Sequence, residues 1–124
     1  MLNSRRALGQ LGEDLAVRYL AEAGYVVLQR NYRCLGGEID VVAMDDQRLA
    51  FVEVRTRRGD SFGTAKESVS CAKQKRLAAV ARSYLQENDL IDVDWGIDVL
   101  ALQLTADGAV RSLELIRNAV SEEA

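Results

Sequence analysis

The chain has 124 residues, 48% of them hydrophobic and 28% charged, a composition typical of one globular domain spanning residues 1–124 and not of a disordered or fibrous chain. It contains no histidine, which excludes histidine-based nucleophilic triads and imidazole metal sites, so any bound metal would be a hard cation on carboxylates, such as Mg²⁺ or Mn²⁺. The net charge of −3 argues weakly against nucleic-acid binding, but residues 54–82 carry eight basic and two acidic groups and can create a local positive field.

The first predicted element is a helix. Apolar residues recur at three- and four-residue spacing from Leu8 to Ala23, and Gly24 is the residue type that ends a helix. The segment from Tyr25 to Leu28 is rich in β-forming residues and predicts a strand. We expect that strand to run into a basic loop containing Arg30 and Arg33.

A β-hairpin is predicted next, after a break at Gly36-Gly37. Two strand-like runs, Glu38 to Met44 and Leu49 to Arg55, flank the turn-forming sequence at residues 45–48. The polar, glycine-containing segment from Gly59 to Gly63 predicts a loop after the hairpin.

The second half of the chain predicts a helix followed by two strands. Residues Ala65 to Glu87 are rich in alanine and contain neither glycine nor proline, which favours a long helix. Strands are predicted at Trp95 to Leu104 and Ser112 to Ile116, around a turn at Asp107-Gly108. The order helix, three strands, helix, two strands predicts an α/β fold, a mixed sheet flanked by helices on one or both faces.

The hairpin places two carboxylates opposite each other. Whether the turn within residues 45–48 uses two or four residues, opposed residues have numbers that sum to 93. Asp40 then lies opposite Glu53, and Glu38 opposite Arg55, all on one face of the sheet. Because like charges in directly opposed positions are destabilising, the pair of acids requires an explanation.

Two explanations for the pair remain open at this point. A divalent cation between Asp40 and Glu53 would remove the repulsion and use both carboxylates as ligands. Alternatively, Arg55 and other basic groups neutralise a polar face, or one carboxylate is solvated. The apolar residues Phe51 and Val54 indicate that Glu53 lies in a buried strand, where an unpaired carboxylate is costly, and this favours a functional role.

Asp40 followed by Glu53-Val54-Arg55 resembles the PD-(D/E)xK nuclease signature. A larger ordered set of residues resembles the YraN-like family of uncharacterised bacterial proteins: Gly12-Glu13-Asp14, Gly37-Glu38-Ile39-Asp40, Phe51-Val52-Glu53-Val54-Arg55, Lys73, Arg76, Asp98-Val99 and Leu115-Ile116-Arg117-Asn118-Ala119. The resemblance implies a restriction-endonuclease-like fold, a mixed β-sheet flanked by α-helices, similar to that of the archaeal Holliday-junction resolvases, which cut branched DNA as homodimers.

The same resemblance implies roles for individual residues. Glu13, Asp40 and Glu53 would bind Mg²⁺ or Mn²⁺, and Arg55 would stand where the signature has a catalytic lysine. Arginine can stabilise charge on a phosphate but stays protonated, so it cannot act as a base. Without the resemblance, Arg55 could form a salt bridge with Glu38, and Glu13 would be a solvated residue on the flank of a helix.

A basic region follows the carboxylates in the sequence. Arg57 and Arg58 leave the second hairpin strand, and Lys73, Lys75 and Arg76 lie on the second predicted helix. This position is where a groove for a phosphate backbone would require positive charge. The alternative is a solvated helix face without function.

The leading hypothesis is therefore a metal-dependent endonuclease acting on structured or branched DNA. The alternatives are a catalytically inactive nucleic-acid-binding module on the same fold and a scaffold for protein contacts. Cys34 and Cys71 are too few for a disulfide framework or a zinc site, and no apolar run approaches the length of a signal peptide or membrane span. We expect a cytoplasmic protein with no membrane partner.

Overall fold

Five strands form one open sheet with a helix on each face. A computed structural model describes residues 5–59 and 69–120. The elements are α1 (Arg5–Glu22), β1 (Val26–Cys34), β2 (Gly37–Asp45), β3 (Arg48–Arg58), α2 (Cys71–Glu87), β4 (Asp94–Leu104) and β5 (Val110–Val120). This order and the mixed sheet flanked by helices confirm the predicted fold class. Neither helix in the described ranges is long and apolar enough to cross a membrane.

The strands follow their sequence order across the sheet, β1-β2-β3-β4-β5. Neighbouring strands are antiparallel except β3 and β4, which are parallel. Parallel neighbours need a crossover connection, and α2 lies in the connection between these two strands. The single parallel pair makes the sheet mixed, and the strand order makes β3 the central strand.

The central strand β3 is buried on both faces, as its apolar run from Leu49 to Val52 indicates. Leu49 and Phe51 pack in the cluster that contains the buried face of α2. Ala50 and Val52 pack in the cluster that contains Ala16 and Leu20 of α1. The two helices therefore cover opposite faces, and residues that alternate along β3 serve two separate cores.

The predicted hairpin register is confirmed from the turn to Val41–Val52, and the predicted pairs Asp40–Glu53 and Glu38–Arg55 lie beyond the end of this ladder. Paired residues run from Asp45–Arg48 to Val41–Val52, and the numbers in every pair sum to 93. The loop has two residues, Asp46 and Gln47, and Asp46 has a φ of 57°. A two-residue hairpin requires this left-handed conformation, which aspartate adopts at low cost.

The basic loop predicted after the first strand is wrong, because β1 continues to Cys34 and contains both Arg30 and Arg33. A bulge separates Val27 from Gln29 in the pairing of β1 with β2. Each arginine forms a salt bridge with an acid of another element. Arg30 pairs with Glu13 and Asp14 of α1, and Arg33 pairs with Glu38 of β2. Local β propensity alone did not show these long-range partners.

The second helix begins later than the predicted Ala65. Ser70 is its N-cap, and the Ser70 hydroxyl accepts a hydrogen bond from the Lys73 N–H at 3.2 Å. The serine competes with the helix for backbone hydrogen bonds, which helix propensity does not take into account. The predicted helical residues 65–68 and most of the predicted loop Gly59–Gly63 lie outside the described residues.

The last strand, β5, is longer than the predicted Ser112–Ile116 because a buried carboxylate holds its end. Asp98 is fully buried and pairs with Arg48 at 2.6 Å between Oδ1 and Nη2. The same Oδ1 accepts a hydrogen bond from the Asn118 backbone N–H at 2.9 Å. Asn118 has a φ of 52°, and the pairing of β4 with β5 is irregular at this point. The strand therefore continues past a bulge to Val120.

Candidate metal and nucleic-acid site

Asp40 and Glu53 lie where the ladder between β2 and β3 ends. The last paired residues of the ladder are Val41 and Val52, which are the chain neighbours of Asp40 and Glu53. Beyond this pair, the Asp40 side chain accepts a hydrogen bond from the β3 backbone. The Val54 N–H donates to its Oδ2 at 2.8 Å. The two carboxylates converge at the point where the strands separate, as the hairpin register predicted.

The pKa of Asp40 is raised to about 8, first by burial and then by the charge of Glu53 and a hydrogen bond with it. The charge of Glu13 acts in the same direction, and the Val54 N–H acts against it. Burial and the neighbouring acids thus favour the protonated form of Asp40 over the ionised form. Two carboxyl groups held this close are a favourable place for a cation, which would offset the repulsion between them.

Glu53 is 5% exposed and has two cationic neighbours. Lys73 of α2 places its Nζ 2.7 Å from Glu53 Oε2, which is a direct ion pair. The Arg55 Nη1 lies 3.8 Å from the same oxygen, beyond hydrogen-bonding distance. The predicted alternative for Arg55, a salt bridge with Glu38, is not the contact that Glu38 makes, since Glu38 accepts a hydrogen bond from Arg33 Nε at 2.7 Å.

Glu13 of α1 is 8% exposed, so the alternative of a solvated residue on a helix flank is wrong. Its Oε1 accepts hydrogen bonds from Arg30 Nε and Asn31 Nδ2, each at 3.0 Å. Asn31 has a φ of 55°, which is part of the local distortion that brings β1 to this carboxylate. The contacts that described residues make with Glu13 all use Oε1, so Oε2 is the oxygen available to a ligand.

Gly12 lets α1 approach the sheet closely enough to bring Glu13 to the site. A Cβ at Gly12 would lie 2.8 Å from the Cβ of Thr56 and would overlap its Oγ1. Gly9, one turn earlier, makes no such approach, because no atom of the described residues lies within 4 Å of a Cβ built there. The difference between these glycines gives a test of how tightly the helix is held.

Gly12→Ala is expected to lower the free energy of unfolding by about 1–3 kcal/mol, because the added methyl group forces α1 away from β3. Gly9→Ala is the matched control, and it should raise stability by about 0.5–1 kcal/mol through helix propensity alone. Urea denaturation of both variants measures the difference. Equal effects of the two substitutions would mean that α1 does not depend on the contact between Gly12 and Thr56.

Two recesses meet at the carboxylates. The α2-side recess, of about 290 Å³, is lined by charged residues of β2, β3 and α2: Glu38, Asp40, Glu53, Arg55, Lys73 and Arg76. The α1-side recess, of about 640 Å³, has these charged residues in its lining: Arg5, Arg6, Glu13, Glu38, Asp40, Arg55 and Arg57. Asp40 and Arg55 line both recesses, so the two recesses adjoin where β2 and β3 separate.

The predicted basic residues divide into two groups. Arg57 lines the α1-side recess, and Lys73 and Arg76 line the α2-side recess. Arg58 and Lys75 line neither of these recesses, and Lys75 is exposed. The helix thus directs only part of its predicted basic surface toward the carboxylates.

Four residues of the site were missed from the sequence. Arg5 and Arg6 belong to the first turn of α1 and line the α1-side recess. Arg30 and Asn31 hold Glu13 from β1. The basic N-terminal sequence was visible, but only the packing of α1 on the sheet shows that it lies beside the carboxylates.

The three predicted acidic ligands approach the site from three different elements. Glu13 comes from α1, Asp40 from β2 and Glu53 from β3. Within residues 5–59 and 69–120, no three carboxylate or thiol side chains are grouped so that together they could hold a metal ion. Arg30 and Lys73 instead supply the positive charge beside Glu13 and Glu53. The arrangement can hold a cation through Asp40 and Glu53, with Glu13 at the other side of Asp40.

Comparison with known proteins gives a consistent family relation. Residues 12–102 match the family described as "Uncharacterised protein family UPF0102". A UPF0102 protein of Roseiflexus castenholzii is 47% identical over 123 residues, which cover 98% of this chain and 99% of that protein. UPF0102 proteins of Moorella thermoacetica and Clostridium perfringens are 43% and 36% identical, each over 96% of this chain and 99% and 98% of their own length.

Proposed function

This chain belongs to the UPF0102 family, and from its carboxylate site we propose that it is a divalent-metal-dependent endonuclease acting on structured or branched DNA. One observation carries the proposal. Asp40 and Glu53 lie side by side at the end of a hairpin ladder, where burial and the neighbouring acids raise the pKa of Asp40 to about 8. Carboxylates held together in this way are suited to a hard divalent cation such as Mg²⁺ or Mn²⁺.

The residues of the site have separate roles in this proposal. Asp40 and Glu53 hold the cation, and Glu13 supplies a further oxygen from α1. The cation would neutralise charge on the scissile phosphate and activate the attacking water. Arg55, which lines both recesses, would bind a phosphate of the DNA backbone where β2 and β3 separate. Hydrolysis needs no covalent enzyme intermediate.

Further support comes from the combination of fold and sequence signature. The order of helices and strands carries Asp40 on β2 and Glu53-Val54-Arg55 on β3, in the pattern of the PD-(D/E)xK nucleases. We therefore assign the sheet to the restriction-endonuclease-like class as part of the proposal. The similarity to archaeal Holliday-junction resolvases is the reason for proposing branched DNA, cut by a homodimer.

One observation favours the alternative of an inactive nucleic-acid-binding module. Lys73 neutralises Glu53 at 2.7 Å, so the site can be electrically balanced without a metal. In that case Asp40 and Glu53 would form a structural network, and the basic residues of the recesses would bind nucleic acid without cleaving it. Metal-dependent cleavage separates the two functions.

The direct experiment is incubation of the purified protein with labelled four-way junction, duplex and single-stranded DNA. Each substrate is tested with Mg²⁺, with Mn²⁺ and with EDTA. We expect cleavage of the junction that requires either cation and stops in EDTA. Binding of the junction without cleavage under every condition would favour the inactive module, and the absence of both binding and cleavage would overturn the proposal.

Nucleic-acid binding should depend on the basic residues of the recesses. The double variant Arg57→Met, Arg76→Met should bind the junction more weakly and with a shallower dependence on salt, by about one unit of slope for each phosphate that the protein no longer neutralises. Fluorescence anisotropy at several salt concentrations measures both quantities.

Arg18→Met is the control for this double variant, since Arg18 is exposed on α1 and lines neither recess. It should leave the salt dependence unchanged. If the double variant and the control behaved alike, the recess arginines would be solvated groups without a role in binding.

A further inference from the structure

The site has a lysine, but it comes from a helix instead of the hairpin strand. Arg55 stands at the strand position where the nuclease signature has lysine, and its Nη1 lies 3.8 Å from Glu53 Oε2. Lys73 reaches the same oxygen from α2, with its Nζ at 2.7 Å. Of these two residues, only Lys73 makes a direct contact with the candidate metal ligand.

Lys73 is held in place from both ends. Its backbone N–H donates to the Ser70 hydroxyl at 3.2 Å, which fixes the first turn of α2. Its side chain, 34% exposed, extends to the buried Glu53 in the α2-side recess. The ammonium group therefore lies at the boundary between the buried carboxylates and the open recess, where a phosphate would enter.

We propose that Lys73 is a catalytic residue of this chain, whose ammonium contacts the scissile phosphate while remaining beside Glu53. The inference rests on the proposed nuclease function and adds a residue that the hairpin does not supply. A phosphate bound next to Asp40 and Glu53 lies within reach of a group already 2.7 Å from Glu53. An ammonium has three donors, so one can serve Glu53 and another a phosphate oxygen.

The other cations of the α2-side recess fit this role less well. The Cγ and Cδ of Arg76 lie 3.8 and 3.7 Å from the position of a Cβ on Gly37, so its stem crosses the wall of the recess. Arg55 lines both recesses, which suits a residue that binds the phosphate backbone along its path. Lys73 is thus the cation to stabilise charge that develops at the reaction centre.

The test separates chemistry from binding. Lys73→Met should lower kcat for junction cleavage by about 10²–10³-fold, the effect of losing one group that stabilises charge in the transition state. The affinity for junction DNA should change far less. The affinity for Mn²⁺, measured by calorimetry without DNA, should be kept or increased, because the ammonium no longer competes for Glu53.

Two further variants keep the test independent of folding. Lys73→Gln can still donate a hydrogen bond to Glu53 and should also lose kcat, with the melting temperature close to that of the parent. The second variant, Arg55→Lys, tests rescue. In the Lys73→Met background it should restore part of kcat, because it returns a lysine to the strand.

Failure of the Lys73 inference can be distinguished from failure of the proposed nuclease function. If the parent protein cleaves and Lys73→Met and Lys73→Gln cleave with the same kcat, this inference is overturned and the nuclease remains. A loss confined to KM would also overturn it, since Lys73 would then only bind DNA. If neither the parent nor Arg55→Lys cleaves any substrate with Mg²⁺ or Mn²⁺, the nuclease proposal fails and takes this inference with it.

Discussion

Asp40→Asn is expected to abolish metal-dependent cleavage while leaving the fold at least as stable as that of the parent at neutral pH. The loss should be at least about 10²-fold in kcat, because a neutral amide cannot neutralise the cation that stabilises the transition state. Binding of junction DNA should persist, since the basic residues of both recesses are unchanged.

The stability of this variant follows from the geometry of Asp40. Its Oδ2 accepts the Val54 N–H at 2.8 Å, and the oxygen of an asparagine amide can accept the same hydrogen bond. The amide NH₂ can donate to Glu53 as the protonated carboxyl group does. Asparagine thus reproduces the protonated form of Asp40 without the repulsion that ionisation brings.

Asp40→Ala is the control, because it removes the hydrogen-bond acceptor together with the charge. The Val54 N–H would lose its partner at a half-buried position, which costs about 1–3 kcal/mol. The measurements are thermal melting, junction binding and junction cleavage for the parent and both variants. If Asp40→Asn destabilised the protein as much as Asp40→Ala, with no response to Mn²⁺ in the parent, Asp40 would be a structural group.

The core of the candidate site could be predicted from the sequence because it depends on local geometry. The short turn at 45–48 fixes the register of its hairpin, and the register brings Asp40 and Glu53 together at the end of the ladder. The alternation of side chains along β2 and β3 then leaves little freedom in where the two carboxylates lie. Local sequence was sufficient wherever one turn determined the pairing.

The partners of the carboxylates could not be predicted in the same way. Lys73 was expected to bind nucleic acid, and its contact with Glu53 depends on where α2 begins and how it crosses the sheet. Arg30 was expected in a loop, and its contact with Glu13 depends on the continuation of β1 past a bulge. Both contacts are set by packing between elements that lie far apart in the chain, which periodicity does not encode.

These two partners have a common consequence for the site. Two of the three proposed acidic ligands are matched by a cation from another element, Glu13 by Arg30 and Glu53 by Lys73. Asp40 is different, since its partners are the Val54 N–H and the acid Glu53. Asp40 is therefore the acid whose charge is left unbalanced when it ionises, so a bound cation should stabilise the protein mainly through this residue.

The stability of the metal-free protein should fall as the pH rises from about 4 to about 8. The pKa of Asp40 is raised from its ordinary value of 3.8 to about 8 in the folded protein, mainly by burial and by Glu53. A carboxyl group with a higher pKa in the folded state binds its proton more tightly there than in the unfolded chain. Its contribution is fully present below about pH 4 and is lost as the pH rises through about 8.

A divalent cation should reverse this loss, because it takes the place of the proton between Asp40 and Glu53. Mn²⁺ is therefore expected to raise the melting temperature more at pH 8 than at pH 5, by mass action on the folded state. Thermal melting at pH 5, 6, 7 and 8, with and without Mn²⁺, measures both trends. Besides Glu53, the charged residues that line the two recesses with Asp40 all remain in the Asp40→Asn control: Arg5, Arg6 and Glu13 on α1, Glu38 on β2, Arg55 and Arg57 on β3, and Lys73 and Arg76 on α2. That variant should show a flatter pH profile and little response to Mn²⁺.

A parent protein whose stability is constant between pH 5 and pH 8, with or without Mn²⁺, would contradict this prediction. Such a result would show that Asp40 is ionised without strain and that the carboxylates are not arranged for a cation.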